Sequence, residues 1–424
     1  MGTRAAVRTI ARTKPGWSSA LKTFGPGIVF VLTVLGPGDF VSNAVAGATY
    51  GCGLLWVLAA ALLFRFVWLD ASARYVMATG QTLMDGYATV GPWAPWLVLG
   101  AMIVVRLAAN FYKLVLLGDI VRLVLPQGWP LPGPWLGALI AAAAWAACGH
   151  GRYTFLEKCF KPLTALMGGA LLAAALLARP RPDELLMGLA PSWPSDGGDY
   201  GAAFLLLALI GTEAGSLTNI TYSYFLRQKG WTHAAWRARQ VRDLLFSVGC
   251  LFLFSAATQI AAAGALRPAG IVPRDAGDLV RVFTHALGEP GRWIFAFGLL
   301  AAALTGILGA TTGYALAVSD FLRRFRPSDR EGTGRDPVYR VAVAFWCFAP
   351  LPLLWLDWRP VWLVLASSAL MGACIPLLAV LLLRLTWPAD RMAALRPGIV
   401  MRSALVLLAA ASGLLLILNL LRRF

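Results

Sequence analysis

Charged residues are scarce in this sequence: Asp, Glu, Lys and Arg together make up 13% of its 424 residues. Soluble globular domains typically carry about 25% charged residues, so the shortage argues against a soluble protein. Apolar side chains account for 59% of the chain, and the mean hydropathy is +0.69. The composition therefore predicts an all-α polytopic membrane protein.

Cysteine and histidine are also few, and neither shows a disulfide or metal-ligand pattern. The six cysteines stand singly, mostly in apolar segments, without a CxxC pair, and there are only three histidines. We expect the cysteines to be small buried hydrophobic residues. The residues concerned are Cys52, Cys148, Cys159, Cys250, Cys347, Cys374, His150, His233 and His285.

Motifs of several other function classes are absent. The chain contains no HExxH, no Gly-x-Ser-x-Gly and no nucleotide-binding motif. These absences argue against an intramembrane metalloprotease, a serine hydrolase and an ATP-driven pump. The repeated carbonyl loop that an ion-channel filter requires is missing as well. Secondary transport, with no enzyme activity and no cofactor, is the expected function.

What the chain does have is a series of long apolar runs. We count eleven, each near the ~20 residues that cross the hydrocarbon core of a bilayer, and call them spans 1 to 11. Their predicted bounds are 26–50, 53–78, 93–124, 134–150, 156–178, 200–226, 241–268, 290–324, 339–356, 360–386 and 400–421.

The basic residues orient these spans. Lys and Arg number 37 against 20 acidic residues, for a net charge of +17. They lie in the gaps between apolar runs rather than in one patch, so nucleic acid is not an expected partner. They are concentrated before span 1, after span 6 and after span 8. Because cytoplasmic loops are enriched in Lys and Arg, we expect a cytoplasmic N-terminus and a C-terminus outside the cell membrane.

Spans 1 and 6 are both interrupted by helix-breaking residues next to a carboxylate. Span 1 contains Gly-Pro-Gly-Asp at 36–39, and span 6 contains Gly-Thr-Glu-Ala-Gly-Ser at 211–216. Glycines in membrane helices also permit close packing. Corresponding breaks five spans apart, however, are typical of inverted-repeat transporters with a binding site at the membrane midplane.

Four stretches resemble the Nramp divalent-metal transporters. They are GPGIVFVLTVLGPGDFVSNAVAGATYG at 25–51, SARYVMATG at 72–80, IFAFGLLAAALTGILGATTGYALAVSDF at 294–321 and LVLASSALMGACIPLLAVLLL at 363–383. The resemblance implies a LeuT-like inverted 5+5 repeat with broken helices 1 and 6. Alternating access would move spans 1, 2, 6 and 7 against spans 3, 4, 8 and 9. The implied divisions are a cytoplasmic tail (1–25), a first repeat (26–178), a second repeat (200–386) and span 11 (400–421).

The family's substrate motifs are altered in this chain. The family has Asp-Pro-Gly-Asn where this chain has Gly-Pro-Gly-Asp at 36–39, and Gly215 replaces a metal-binding methionine. Thr212 replaces an alanine whose carbonyl binds the metal, and Ser368 replaces a glutamine. The resemblance therefore implies the transport architecture without fixing the cargo.

Span 3 also departs from the family. Of its three proton-relaying acids Asp119 remains, while Tyr112 and Arg122 occupy the other two places. By resemblance we expect weak or absent proton coupling.

The residues around the two breaks form a set of oxygen ligands. Asp39 and Glu213 supply carboxylates that could hold a metal, and without the thioether such a set suits a hard divalent cation such as Mg²⁺, Mn²⁺ or Ca²⁺. Alternatively, Asp39 is the N-cap of a half-helix beginning at Phe40, and Glu213 pairs with a basic residue. The candidate substrate-binding residues are Gly36, Asp39, Ser42, Thr212, Glu213, Gly215, Ser216, Thr218 and Ser368.

A basic stripe on span 3 supports a second hypothesis. Arg106, Asn110 and Lys113 share one helix face, and half-helix N-termini favour anions. The cargo would then be a small anion such as bicarbonate or a small carboxylate. A structural salt bridge to the carboxylates, joined by Arg65 of span 2, is the third interpretation. The expected partners are the lipid bilayer and a small inorganic ion, and the oligomeric state stays open.

Overall fold

The structure is a computed structural model that describes residues 36–125, 132–149, 153–195, 199–215, 217–322, 336–356 and 358–421. All regular structure in these ranges is helical. The helices that correspond to the predicted spans are Pro37–Tyr50, Leu55–Thr79, Trp93–Val124, Gly133–Gly149, Tyr153–Leu177, Ala202–Glu213 with Thr218–Gln228, Arg237–Ala265, Glu289–Leu322, Pro337–Phe348, Pro360–Thr386 and Ile399–Leu421.

The length and composition of these helices confirm a polytopic membrane protein. Eight helical segments of the described chain are long and apolar enough to cross a membrane, and two more apolar helices, Gly133–Cys148 and Ala165–Leu177, are shorter. Span 1 is described only from Gly36, since residues 26–35 lie outside the described ranges. The count of eleven, the repeat boundaries and the orientation of the termini therefore stay predictions.

Short helices occupy several connections between the spans. They are Leu83–Val90, Pro182–Leu189, Ala276–Leu287 and Ala389–Met392, with 3₁₀ turns at Ala234–Trp236, Leu351–Trp355 and Ala393–Leu395. The helix Ala276–Leu287 begins at Asp275, whose side chain accepts a hydrogen bond from the Asp278 N–H. Its Phe283 lies 6.0 Å from Phe40 of span 1, measured between ring centroids. This connection therefore packs onto the helix that follows the first break.

Span 6 consists of two helices that are separated by a break. Its first helix ends at Glu213 and its second begins at Thr218. Gly215 has φ +63°, a left-handed conformation that glycine adopts without steric cost. The Asn219 side chain donates a hydrogen bond to the Ala214 carbonyl at 3.0 Å. The predicted break is confirmed, but it begins three residues later than its first glycine.

Gly211 is helical and serves close packing instead. A Cβ at Gly211 would lie 1.9 Å from the Ser368 carbonyl oxygen and 2.5 Å from the Gly372 nitrogen of span 10. Only a glycine lets the two backbones approach this closely. The prediction that Gly211 unwinds span 6 is wrong, because contact with span 10 governs that position.

The described part of span 1 begins as a helix at Pro37. Gly36 is extended, proline occupies the first helical turn, and the Asp39 carboxylate accepts a hydrogen bond from the Gly36 N–H at 3.0 Å. Asp39 is thus the third helical residue and not an N-cap before Phe40, so that interpretation is wrong. The carboxylate still stabilises the helix start, because it satisfies a backbone N–H there.

The spans pack so that the breaks lie inside the protein. The first half of span 6 packs against span 10, and span 7 packs against spans 1 and 2. A Cβ at Gly47 of span 1 would lie 2.1 Å from the Gln259 carbonyl of span 7. Every residue from Pro37 to Ala48 is buried. Span 1 is therefore a central helix with no lipid-facing side at these positions.

Candidate functional site

The start of the span 1 helix and the break of span 6 meet around a small cavity. A Cβ at Gly38 would lie 3.0 Å from the Thr212 hydroxyl oxygen and 3.1 Å from that of Tyr112. The cavity beside them has a volume of about 50 Å³. Since about 10–15 Å³ of such volume is enough to hold one water, the space has room for one small ion that keeps a few waters of hydration. Its charged lining residues are Asp39, Arg65, Arg106 and Lys113.

Two carboxylates lie at the junction of spans 1 and 6. Asp39 lines the cavity and is 5% exposed; its Oδ1 has no hydrogen-bond partner within the described chain. Glu213 is fully buried behind the lining. Asn43 connects Glu213 to the backbone of span 1, because its side-chain amide donates to the Asp39 backbone carbonyl and to Glu213 Oε1. One hydrogen-bonded amide therefore ties the Glu213 carboxylate to the helix that carries Asp39.

Arg65 of span 2 reaches the break of span 6. Its guanidinium Nη2 donates a hydrogen bond to the Thr212 carbonyl at 2.9 Å, and the residue is 1% exposed. It also attracts both Asp39 and Glu213 electrostatically. The sequence suggested only that Arg65 joins a salt bridge. The structure makes it a lining residue of the cavity.

The basic stripe of span 3 divides between the cavity and a neighbouring helix. Arg106 and Lys113 line the cavity, and Arg106 is held by hydrogen bonds of 3.1 Å to the Ile307 carbonyl and the Thr311 hydroxyl of span 8. Asn110 instead donates to the Trp346 carbonyl of span 9 at 2.7 Å. The expectation that all three side chains face the pathway is therefore wrong for Asn110, which ties span 3 to span 9.

Several other predicted ligands fall in or near the cavity. Gly36, Thr212 and Thr218 line it. Ser368 lies close behind, with its hydroxyl 3.8 Å from the Cβ position of Gly38. Ser42 is fully buried but does not line the space.

The remaining predicted residues lie away from the central cavity or outside the described residues. Gly215 lies against Arg65 rather than in the lining, and Ser216 lies outside the described residues. Asp119 and Arg122 line a separate cavity of about 260 Å³ beside Gly133 of span 4. The structure thus does not bring the remaining span 3 acid to the central cavity.

The described residues contain no group of three or more His, Cys, Asp or Glu side chains placed to hold a metal. Of the cysteines, Cys52, Cys148 and Cys347 are buried and Cys250 and Cys374 are partly buried. The Cys159 side chain lies outside the described residues.

Sequence reasoning missed Asn43 and Tyr314. Asn43 stands one helical turn after Asp39, so the i, i+4 spacing on one helix face could have identified it. Tyr314 lines the cavity from span 8, with its ring centroid 5.5 Å from the Arg106 guanidinium. No local pattern marks that tyrosine, since its role depends on how spans 3 and 8 pack.

Comparisons with known proteins agree with this architecture. The family described as "Natural resistance-associated macrophage protein-like" matches residues 27–422. The divalent metal cation transporter MntH of Acidiphilium cryptum is 26% identical over 333 residues, covering 73% of this chain and 72% of that protein. MntH of Deinococcus radiodurans is 25% identical over 319 residues, covering 71% and 70%.

Solved structures show the same fold. A mutant of the Eremococcus coleocola manganese transporter superposes with a TM-score of 0.72 at 16% identity, covering 96% of this chain and 87% of that chain. MhsT in complex with L-phenylalanine superposes with a TM-score of 0.64 at 14% identity, covering 95% and 98%. The fold is therefore LeuT-like, and the chain belongs to the Nramp family of multi-pass membrane transporters.

Proposed function

We propose that this protein is a secondary transporter that moves a small inorganic ion by alternating access at the central cavity. The observation that carries the proposal is that the start of the span 1 helix and the break of span 6 meet at a charged cavity of about 50 Å³. Non-helical backbone at such depth is tolerated where it is buried in protein or lines a cavity. Discontinuous helices at the midplane are the usual binding elements of secondary transporters.

A metal ion is the first candidate cargo. Relatives of this chain are named divalent metal cation transporters. The cavity offers the Asp39 carboxylate, the Thr218 side chain and the backbone at Gly36, with Glu213 linked through Asn43. All of these groups supply oxygen, while Met371 of span 10 adds a thioether to the lining. Because the oxygen groups include the charged ligand, the hard cations Mg²⁺, Mn²⁺ and Ca²⁺ are the proposed cargo.

Weak or absent proton coupling is part of the proposal. Asp119, the acid that remains of the span 3 relay, lines a different cavity together with Arg122. Tyr112 takes one of the acid positions beside the central cavity. A tyrosine has a reference pKa near 10 and does not exchange protons readily at neutral pH.

A small anion is the second candidate, and the charges of the cavity favour it. Arg65, Arg106 and Lys113 all line the space, against Asp39 in the lining and Glu213 behind it. Fully ionised, these five groups sum to one positive charge, which a monovalent anion would neutralise. A divalent cation would instead raise the local charge, which is costly in a low-dielectric interior.

Uptake into proteoliposomes tests the proposal. Purified protein is reconstituted and tested with Mg²⁺, Mn²⁺, Ca²⁺, bicarbonate and small carboxylates, with a pH-sensitive dye enclosed. We expect saturable uptake of one class, acceleration by cargo on the opposite side, and little proton movement. Linear, non-saturable flux without exchange would indicate a channel and contradict the proposal. Asp183→Asn removes an exposed carboxylate that is paired with Arg181. It is the control for losing one negative charge outside the cavity.

A further inference from the structure

Arg65 stands in an unusual place for a buried cation. It lies in the middle of span 2, is 1% exposed, and lines the central cavity. Its Nη2 donates a hydrogen bond to the Thr212 carbonyl, while Nε and Nη1 have no hydrogen-bond partner within the described chain. Burying a guanidinium with unpaired donors lowers the stability of the fold. The position of Arg65 therefore needs an explanation other than stability.

The group that Arg65 contacts is one that a bound cation would use. Thr212 is the penultimate residue of the helix Ala202–Glu213. The last carbonyls of a helix have no intrahelical partner, and such carbonyls at broken helices serve as cation ligands in transporters. Arg65 also attracts the Asp39 and Glu213 carboxylates electrostatically. The guanidinium therefore donates to a free carbonyl and lies in the field of two carboxylates, which is where a bound cation would be favoured too.

Gly215 provides the room for this arrangement. A Cβ at that position would lie 2.6 Å from Arg65 Nη2 and 3.1 Å from Arg65 Nε. Every other residue type would thus collide with the guanidinium, and it would also be strained at φ +63°. A side chain at this turn would push the guanidinium out of its present position. The absence of a side chain at Gly215 therefore makes room for the buried Arg65 guanidinium.

We propose that Arg65 is a built-in cation that occupies the cation position between the broken spans, competes with a divalent metal ion for it, and so determines the cargo specificity of the cavity. The inference rests on the proposed function only in treating the central cavity as the cargo site. If a metal is carried, the guanidinium must leave the Thr212 carbonyl before the metal takes it. If an anion is carried, the guanidinium supplies the positive charge that a second bound ion would otherwise have to supply.

The test measures Mn²⁺ binding to the purified full chain in detergent by the loss of the free Mn²⁺ electron paramagnetic resonance signal. We expect weak binding by the native chain and an affinity at least about tenfold higher for Arg65→Gln, because one positive charge is removed beside the carboxylates. Arg65→Lys keeps the charge and should remain weak. Arg106→Gln removes a cavity-lining cation of span 3 that is held by hydrogen bonds to span 8, and the gain in Mn²⁺ affinity should be smaller.

Equal affinity of Arg65→Gln and the native chain, or a lower affinity of the variant, would overturn the proposal. Where Arg65→Gln is poorly folded, its thermal stability is measured with and without 10 mM Mn²⁺ or Mg²⁺. Rescue of folding by the metal supports the proposal, since a ligand that binds the folded state stabilises it, and absence of rescue contradicts it. Failure of the native chain to transport any tested ion would refute the proposed function and leave this binding result standing.

Discussion

The two walls of the central cavity differ in how they present charge. One wall comes from the start of the span 1 helix, the break of span 6 and the continuous span 2 helix, and it carries Asp39, Glu213 and Arg65. The other comes from spans 3 and 8, the continuous helices Trp93–Val124 and Glu289–Leu322, and carries Arg106 and Lys113. The first wall sums to one negative charge and the second to two positive charges.

This difference follows from the state of the backbone. A continuous helix satisfies its own N–H and C=O groups, so spans 3 and 8 can contribute to the cavity only through long side chains. A broken helix frees carbonyls and N–H groups, so spans 1 and 6 contribute backbone ligands and need only short side chains such as Asp39. The sign of the cargo's charge therefore depends on which of the two walls interacts with the cargo more strongly.

Removing the acid of the first wall should have the largest effect. If a metal is carried, Asp39→Asn should lower uptake at low concentration at least about tenfold, because the amide keeps the shape and loses the charge. Initial rates of uptake by proteoliposomes measure this. Activity of Asp39→Asn equal to that of the native chain would shift the assignment to the anion.

Removing the cations of the second wall should have the next largest effect, and its direction separates the two cargoes. For a metal, Lys113→Ala and Arg106→Ala should leave uptake unchanged or raise affinity by up to about tenfold, since a repelling charge is lost. For an anion, both should lose uptake. Asp183→Asn and the native chain are measured in the same preparation, and loss of metal uptake in both variants would defeat the cation assignment.

The first wall also depends on how closely span 6 packs on span 10. Gly211→Ala should lower the free energy of unfolding by about 1–3 kcal/mol, because its Cβ would lie 1.9 Å from the Ser368 carbonyl oxygen. Thermal unfolding in detergent measures the change. Gly249→Ala is the matched control, since that helical glycine of span 7 has open space around its Cβ position. It should be neutral or stabilising by up to about 1 kcal/mol.

The smallest effect is expected outside both walls. Asp119 lines a separate cavity with Arg122, so Asp119→Asn should change uptake by less than about twofold and leave proton movement as low as in the native chain. The enclosed pH-sensitive dye reports proton movement during uptake. A proton flux in native vesicles that disappears in Asp119→Asn would show that this acid couples protons after all.

Structure revises the sequence interpretation at individual side chains more than at helices. The Gly-Pro-Gly-Asp stretch predicted an interruption of span 1 at 36–39, but the described helix already begins at Pro37. The same local reasoning placed Asp39 at the N-cap, because it could not tell which of several consecutive residues becomes helical. For Asn110, the helical spacing identified the helix face but not the neighbouring helix that the side chain contacts. Its amide donates a hydrogen bond to a carbonyl of span 9.

The sequence by itself determined that this is a polytopic helical protein with a broken span 6 and a carboxylate beside each break. These properties are local, since hydropathy, proline and glycine act within one segment of chain. The tertiary structure alone decided that Arg65 reaches Thr212, that Gly211 packs on span 10, and that Asp119 lies away from the central cavity. Those outcomes depend on the rotation and spacing of helices packed from distant parts of the chain, which no local pattern encodes.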